Sequence, residues 1–185
     1  MTATAAANST GKETQMGFSL IELLIVVAII LIIAAIAIPN MLASKKAANQ
    51  ASAVSSLRTI SSALASYSTA YGDGFPSSLD ILGGTPGTPA SCNQALLLDT
   101  TISSSPYQKS GYQFSYSGQG GNVPSAPGGC ANPGFNGYLG TAIPLITGTT
   151  GNYSYCLSED AAIRLDVNGG NIAGTSACAA LPGVQ

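Results

Sequence analysis

The chain has 185 residues, of which 8% are charged, and a formal net charge of −2. A charge set this thin gives no overall footprint for nucleic acid or anionic lipid, and no specific nucleic-acid partner is expected. Histidine is absent; with the commonest general base missing and no nucleophile–base pair or metal-ligand spacing in evidence, neither an enzyme nor a cofactor is expected.

Residues 1–17 read as a removable leader containing one basic side chain, Lys12, followed by Glu13. Residues 23–38 then run for 16 positions without a polar side chain. Counted from Phe18 to Ile38, the segment is long enough as a helix to extend roughly 32 Å, close to the about 30 Å hydrocarbon thickness of a bilayer. A membrane-spanning helix is therefore expected over residues 18–38, needing the membrane as its surroundings.

Glu22 is the exception within it. An acid in lipid needs a partner, and no Lys, Arg or His lies between Phe18 and Asn40. A cut after Gly17 would create one, because the new α-amine of Phe18 would be mostly cationic at neutral pH. Phe18 and Glu22 stand at i and i+4, on one face of a helix. The amine is thus placed to meet its own Glu22 or that of a neighbouring copy. An ordinary secretory signal peptide, cut after Ala35-Ile36-Ala37, is the competing reading; it accounts for the apolar run but not for an acid near its start.

Gly17, Phe18 and Glu22, with Ser19-Leu20-Ile21 between, resemble the N-terminal motif of the type IV pilin and type II secretion pseudopilin superfamily. The resemblance extends from Gly17 to about Tyr71. It implies cleavage between Gly17 and Phe18 by a prepilin peptidase and N-methylation of Phe18. It also implies storage as a single-pass inner-membrane protein, then extraction by an inner-membrane assembly platform into a helical homopolymer. Phe18, Glu22 and Pro39 would be the assembly residues, and the product an extracellular pilus or a periplasmic pseudopilus. Two departures stand out: the leader is poor in basic residues, and Leu31 occupies a position often held by glycine. A non-polymerising membrane-anchored binding protein is the remaining alternative.

Pro39 is expected inside one long helix ending near Tyr71, with a bend just before it. Beyond it, Ala47, Ala51, Val54, Leu57, Ile60, Leu64, Tyr67 and Tyr71 recur every three or four residues, an amphipathic stripe over residues 39–71 that requires a covering surface. Lys45, Lys46 and Arg58 lie just past the apolar run, within reach of lipid phosphates or a neighbouring subunit. Gly72-Asp73-Gly74 stops the helix, and Phe75-Pro76 opens an irregular connection. A Pro/Gly loop over residues 85–91 precedes a short helix expected around residues 94–101.

Strand signals follow. Tyr112, Phe114 and Tyr116 alternate with polar residues, predicting a half-exposed strand. Residues 118–133 read as a turn-rich surface loop. A second strand is expected over residues 136–146 and, because it contains Gly140 and Pro144, at a sheet edge. Residues 153–157 and 162–166 read as the arms of a hairpin.

All four cysteines, Cys92, Cys130, Cys156 and Cys178, lie beyond the membrane segment, which suits an oxidising compartment and allows three pairings. The sequential one, Cys92–Cys130 and Cys156–Cys178, is expected. Asp166-Val167-Asn168-Gly169-Gly170-Asn171 has a faint calcium-loop look but fails the required spacing, so a turn is the better reading and no metal site is expected. Asn152-Tyr153-Ser154 fits a weak glycosylation pattern. The whole predicts an α+β chain: leader 1–17, filament or membrane helix 18–38, amphipathic helix 39–71, and a disulfide-containing head over 72–185 whose small antiparallel sheet covers the helix stripe.

Overall fold

A computed structural model describes residues 17–72, 74–122, 130 and 134–184. Lys12, Glu13, the remaining leader residues before Gly17, Asp73 and the greater part of the expected 118–133 loop fall outside the described residues. The chain divides into two compact units, Met1–Met41 and Leu42–Gln185.

Helix α1 runs Leu20–Tyr71 and holds Pro39 within its span. It starts two residues later than the apolar run does, since Gly17, Phe18 and Ser19 have no regular structure. At the proline, which has no N–H to donate, the Asn40 side-chain amide donates to the Ile36 carbonyl at 3.2 Å.

In the second unit, α1 buries Ala53, Ser56, Leu57, Ile60, Ala63, Leu64 and Tyr67. The stripe therefore begins later than the sequence pattern implied. Ala47 and Ala51 are exposed, while Ala53, Ser56 and Ala63, which lie outside the stripe read from the sequence, are buried.

The cover is a five-stranded antiparallel sheet whose spatial order follows the chain, β1 to β5. The strands are β1 (Gln108–Lys109), β2 (Tyr112–Asn122), β3 (Phe135–Pro144), β4 (Ser154–Ser158) and β5 (Ile163–Asp166). Strand β2 is the predicted alternating strand, and β4 with β5 forms the predicted hairpin. The placement of the second predicted strand at an edge is wrong: β3 is central, paired with both β2 and β4. Pro144 is its last residue and Gly140 faces Leu157 at ordinary contact distance, so neither interrupts the ladder. Gly118 on β2 lies beneath the Phe135 ring of β3, where an added Cβ would come within 2.3 Å of a ring carbon. That glycine is required by the aromatic ring packed over it.

The expected helix over residues 94–101 is also corrected. Helix α2 (Leu79–Leu82) precedes it, and its carbonyls capture the next segment: Ala95 N–H donates to Ile81 O, Leu96 to Gly83 O and Leu97 to Leu82 O. Those amides are no longer available for helix formation. Helix α3 is confined to Thr100–Ser103, where the Asp99 side chain caps the Thr101 N–H at 2.7 Å.

Disulfides join Cys92 to Cys130 and Cys156 to Cys178, the sequential pairing of the three allowed. The second fastens α4 (Thr175–Ala179), which carries Cys178, to β4 and so anchors the glycine-rich tail. The chain end then lies along the outer strand, with Leu165 N–H donating to Pro182 O and Val184 N–H to Ile163 O. Each bridge typically contributes about 2–4 kcal/mol. Tyr112, Phe114, Tyr138 and Tyr155 fill the space between sheet and helix, as core packing rather than surface chemistry. The Tyr67 hydroxyl donates to the Cys92 carbonyl at 2.8 Å within it.

Two pH limits follow for the head. The Asp160 carboxylate is paired with Arg164 across the β4–β5 turn, and hydrogen bonding from that guanidinium holds it down to about 2. An unfolded aspartate titrates near about 3.9, so the pair's contribution is complete above that value and lost as pH falls towards about 2. Asp160 is 45% exposed, so the contribution is small. Asp160→Asn is expected to lower stability slightly at neutral pH and to leave it nearly unchanged near pH 2, so that this acid limb is flattened in urea titrations between those limits.

At the other extreme, burial raises the phenols of Tyr112, Tyr116, Tyr138 and Tyr155. Their neutrality favours the fold fully below about pH 10 and the benefit is lost as pH rises beyond it. Tyrosinate absorbance should therefore show these four of the eight tyrosines ionising only together with loss of the near-ultraviolet circular dichroism.

Candidate functional site

The features singled out by the sequence meet at the start of α1. Gly17 has nothing within 4 Å of where a Cβ would stand, and Phe18 is 85% exposed. The peptide between them lies in a segment without regular structure, just before the helix begins. A peptide in an open, non-helical segment next to a small residue can be drawn out into a cutting site, which a helical peptide cannot.

Glu22 has a partner that the sequence reading missed. Its Oε2 accepts a hydrogen bond from the Ser19 backbone N–H at 3.0 Å. The Ser19 carbonyl in turn receives the N–H groups of Glu22 and Leu23 at 3.1 and 3.3 Å. Ser19 is therefore the N-cap residue and Glu22 the third helical position, with the acid reaching back as in a capping box. The signal was present as Ser19-x-x-Glu22 directly ahead of an apolar run; attention to charge partners alone overlooked it. The expectation of an acid without a partner is thus corrected: in the uncut chain a backbone donor and the positive end of the helix dipole both act on it.

Beyond Glu22 the helix offers only hydrocarbon. Leu23, Leu24, Ile29, Ile30, Ile32 and Ile36 are each more than half exposed, and the apolar window that qualifies as a membrane span is 0% buried within the chain. So large an apolar surface is tolerated only against lipid or other protein. Pro39, seventeen residues after Glu22, closes the run.

The other candidates resolve into local structure. The Asp166 carboxylate accepts from Asn168 N–H at 3.0 Å and Gly170 N–H at 3.3 Å, so it holds a turn. Among the described residues no group of three or more His, Cys, Asp or Glu is placed to hold a metal ion. In Asn152-Tyr153-Ser154 the asparagine is exposed, but the Ser154 hydroxyl-bearing side chain is wholly buried in β4.

Residues 15–38 match the family model described as the prokaryotic N-terminal methylation motif. Over 33 residues the chain is 70% identical to the type IV wide pilus major component PilA4 of Thermus thermophilus, a match covering 18% of this chain and 25% of that protein. The chain therefore spans about a quarter of the length of the curated relative it matches. No solved structure matches. The N-terminal region is type IV pilin-like, and a long apolar helix followed by an antiparallel sheet is a pilin-like α+β architecture.

Loss of the cap has a measurable consequence in the uncut chain. Glu22→Ala should raise amide hydrogen exchange at Ser19, Glu22 and Leu23, by an amount corresponding to about 0.5–2 kcal/mol of local stability. Exchange in β2 to β4 should not change. Equal protection of those three amides in both proteins would show that the carboxylate does not cap the helix.

Proposed function

We propose that this chain is the precursor of a structural subunit of a type IV pilus. Prepilin peptidase removes residues 1–17, the Phe18 amine is methylated, and residues 18–38 hold the subunit in the inner membrane. An inner-membrane assembly platform then transfers that helix from lipid into the core of a helical homopolymer, leaving the heads at the surface of an extracellular fibre. The role is structural rather than catalytic.

The observation that carries this reading is a single carboxylate at the start of a helix whose next sixteen side chains are apolar and which its own chain leaves uncovered. Lipid and a bundle of identical helices are equivalent solvents for such a surface, so transfer between them changes little in apolar burial. What distinguishes one docked position from another is the acid. Cleavage turns Phe18 into a cationic terminus beside Glu22, and the carboxylate can then exchange the neutral Ser19 amide, which the cut leaves in place, for the stronger charged partner offered by a neighbour's amine. A buried pair of this kind fixes register more than it adds stability, because an uncompensated charge in the wrong register is strongly disfavoured. The methylation-motif match at residues 15–38 and the likeness to a pilus component support the same conclusion.

Sheared-fibre yields from cells carrying Glu22→Ala and Glu22→Gln test it. Both variants are expected to be cut and folded, with both disulfides formed, yet to give at least an order of magnitude less fibre, the loss expected when one partner of a buried pair is removed (about 3–5 kcal/mol). Wild-type fibre yields from both would contradict the assignment of Glu22 to assembly.

A further inference from the structure

One end of the head presents aliphatic side chains that no part of the chain covers. Leu145 and Ile146, in the connection after β3, are 45% and 60% exposed, and Val167, just after β5, is 62% exposed. The two connections are joined by a hydrogen bond from Thr147 Oγ1 to the Gly169 carbonyl at 3.3 Å. They also lie against each other where Gly169 meets Asn152 and Thr147. The surface is free of charge, since residues 144–153 and 167–172 contain no ionisable group except the Tyr153 phenol. Asp166, at its border, has its carboxylate turned onto the amides of its own turn.

This loop cluster is fastened to α1 at a particular place. Asn49 Nδ2 donates to the Thr150 carbonyl at 2.9 Å, and Ser52 Oγ bonds to Ser110 Oγ at 2.9 Å. Lys45 and Lys46 stand on the turn of α1 just before Asn49, with Lys45 exposed and Lys46 half-buried. Among the described residues neither forms an ion pair; the salt bridge is between Arg164 and Asp160. Lys109, also exposed, is offset by the nearby Asp99. Aliphatic prongs, threonines and two lysines therefore share the end of the head from which the chain leads back to the apolar run. Ten residues, 39–48, lie between Ile38 and Asn49, so the connection that tethers the cluster to that run is short.

We propose that this end of the head rests on the anionic phospholipid surface of the membrane that holds the subunit before assembly. Ile146, Leu145 and Val167 enter the interfacial layer and Lys45 and Lys46 meet lipid phosphates. The proposal rests on the membrane-held stage of the function above and not on the filament stage. Its physical basis is tethering. A patch of three aliphatic side chains is too small to bind a bilayer from solution, but attached by a short connection it meets lipid at a high effective concentration. Each lysine near an anionic surface adds to that attraction, and interfacial contact needs only shallow insertion. A second copy offering the same face would bring lysines against lysines, which makes lipid the better complement. The chain's net charge of −2 conceals this local pair of lysines.

The chain contains no tryptophan, so a single introduced one reports its own surroundings. The full-length chain, one copy per nanodisc of phosphatidylethanolamine and phosphatidylglycerol, is compared with and without brominated acyl chains. Ile146→Trp and Val167→Trp are expected to be quenched severalfold more than Asn136→Trp at the other end of β3. Changing the lipid to phosphatidylcholine, or making Lys45→Gln with Lys46→Gln, should weaken that quenching. Val26→Trp serves as the insertion control. Strong quenching at Val26→Trp with Ile146→Trp and Val167→Trp no different from Asn136→Trp would overturn the proposal while leaving the membrane-held subunit intact. Absence of quenching at Val26→Trp would overturn both. Shielding of Ile146→Trp that appears only with two copies per disc would overturn it in favour of contact between subunits.

Discussion

An apolar helix surface with no cover of its own is the constraint on which the rest of this molecule depends. Residues 23–38 cannot face water, whatever the head does. Every state of the chain must cover that surface, with lipid or with other protein, which in the proposed function is copies of the same helix. Because both solvents are satisfactory, apolar burial by itself cannot choose between storage and assembly. The one polar feature at the start of the run must do so. In the uncut chain Glu22 is occupied with the Ser19 amide, at the end of the helix where a negative charge is favoured. Removing the residues before Phe18 places a positive terminus in the same neighbourhood, and the carboxylate then has a stronger partner than a neutral backbone donor. In the proposed function, charge-assisted pairing between copies follows from that exchange of partners.

The head is constructed to accompany such a helix with little charge. Its sheet takes α1 as the second layer of its core, so the helix is part of the fold rather than an appendage. Strand β4 is buried along its whole length and β3 along most of it, and phenols and aliphatic groups fill the gap. Two disulfides then secure the segments that packing holds least: Cys130 lies in the long β2–β3 connection, and Cys178 in the tail. A surface of serine, threonine, asparagine and glycine keeps the head soluble without like charges that would repel neighbouring copies.

Much of this was legible in the sequence, for reasons that differ by element. The apolar run and the helix stop at Tyr71 were readable because they are local: sixteen apolar residues and a glycine pair mean the same thing in any context. The alternation at Tyr112, Phe114 and Tyr116 and the β4–β5 hairpin were equally local. What failed depended on neighbours distant in the chain. The central position of β3 was obscured by Pro144, which falls harmlessly on its last residue, and by Gly140, which lies in ordinary contact with Leu157. The segment at residues 95–98 has helix-compatible side chains, but α2 takes its amides, and no pattern in the segment records that. Ser56 and Ala63 are buried by the layer that covers α1, which the helix's own sequence does not record. At the N-terminal site the miss was of another kind: Ser19 was visible, but the question asked of Glu22 concerned its charge and not its reach.

The proposed assembly requires that the mature subunit begin at Phe18, since without a new amine beside Glu22 nothing selects one docked register over another. Intact-mass and N-terminal analysis of the protein recovered from its native cells measures this directly. A chain starting with N-methylated Phe18 and found in fibres is the predicted result. A native protein that keeps residues 1–17, or one that begins at Ile38, would contradict it.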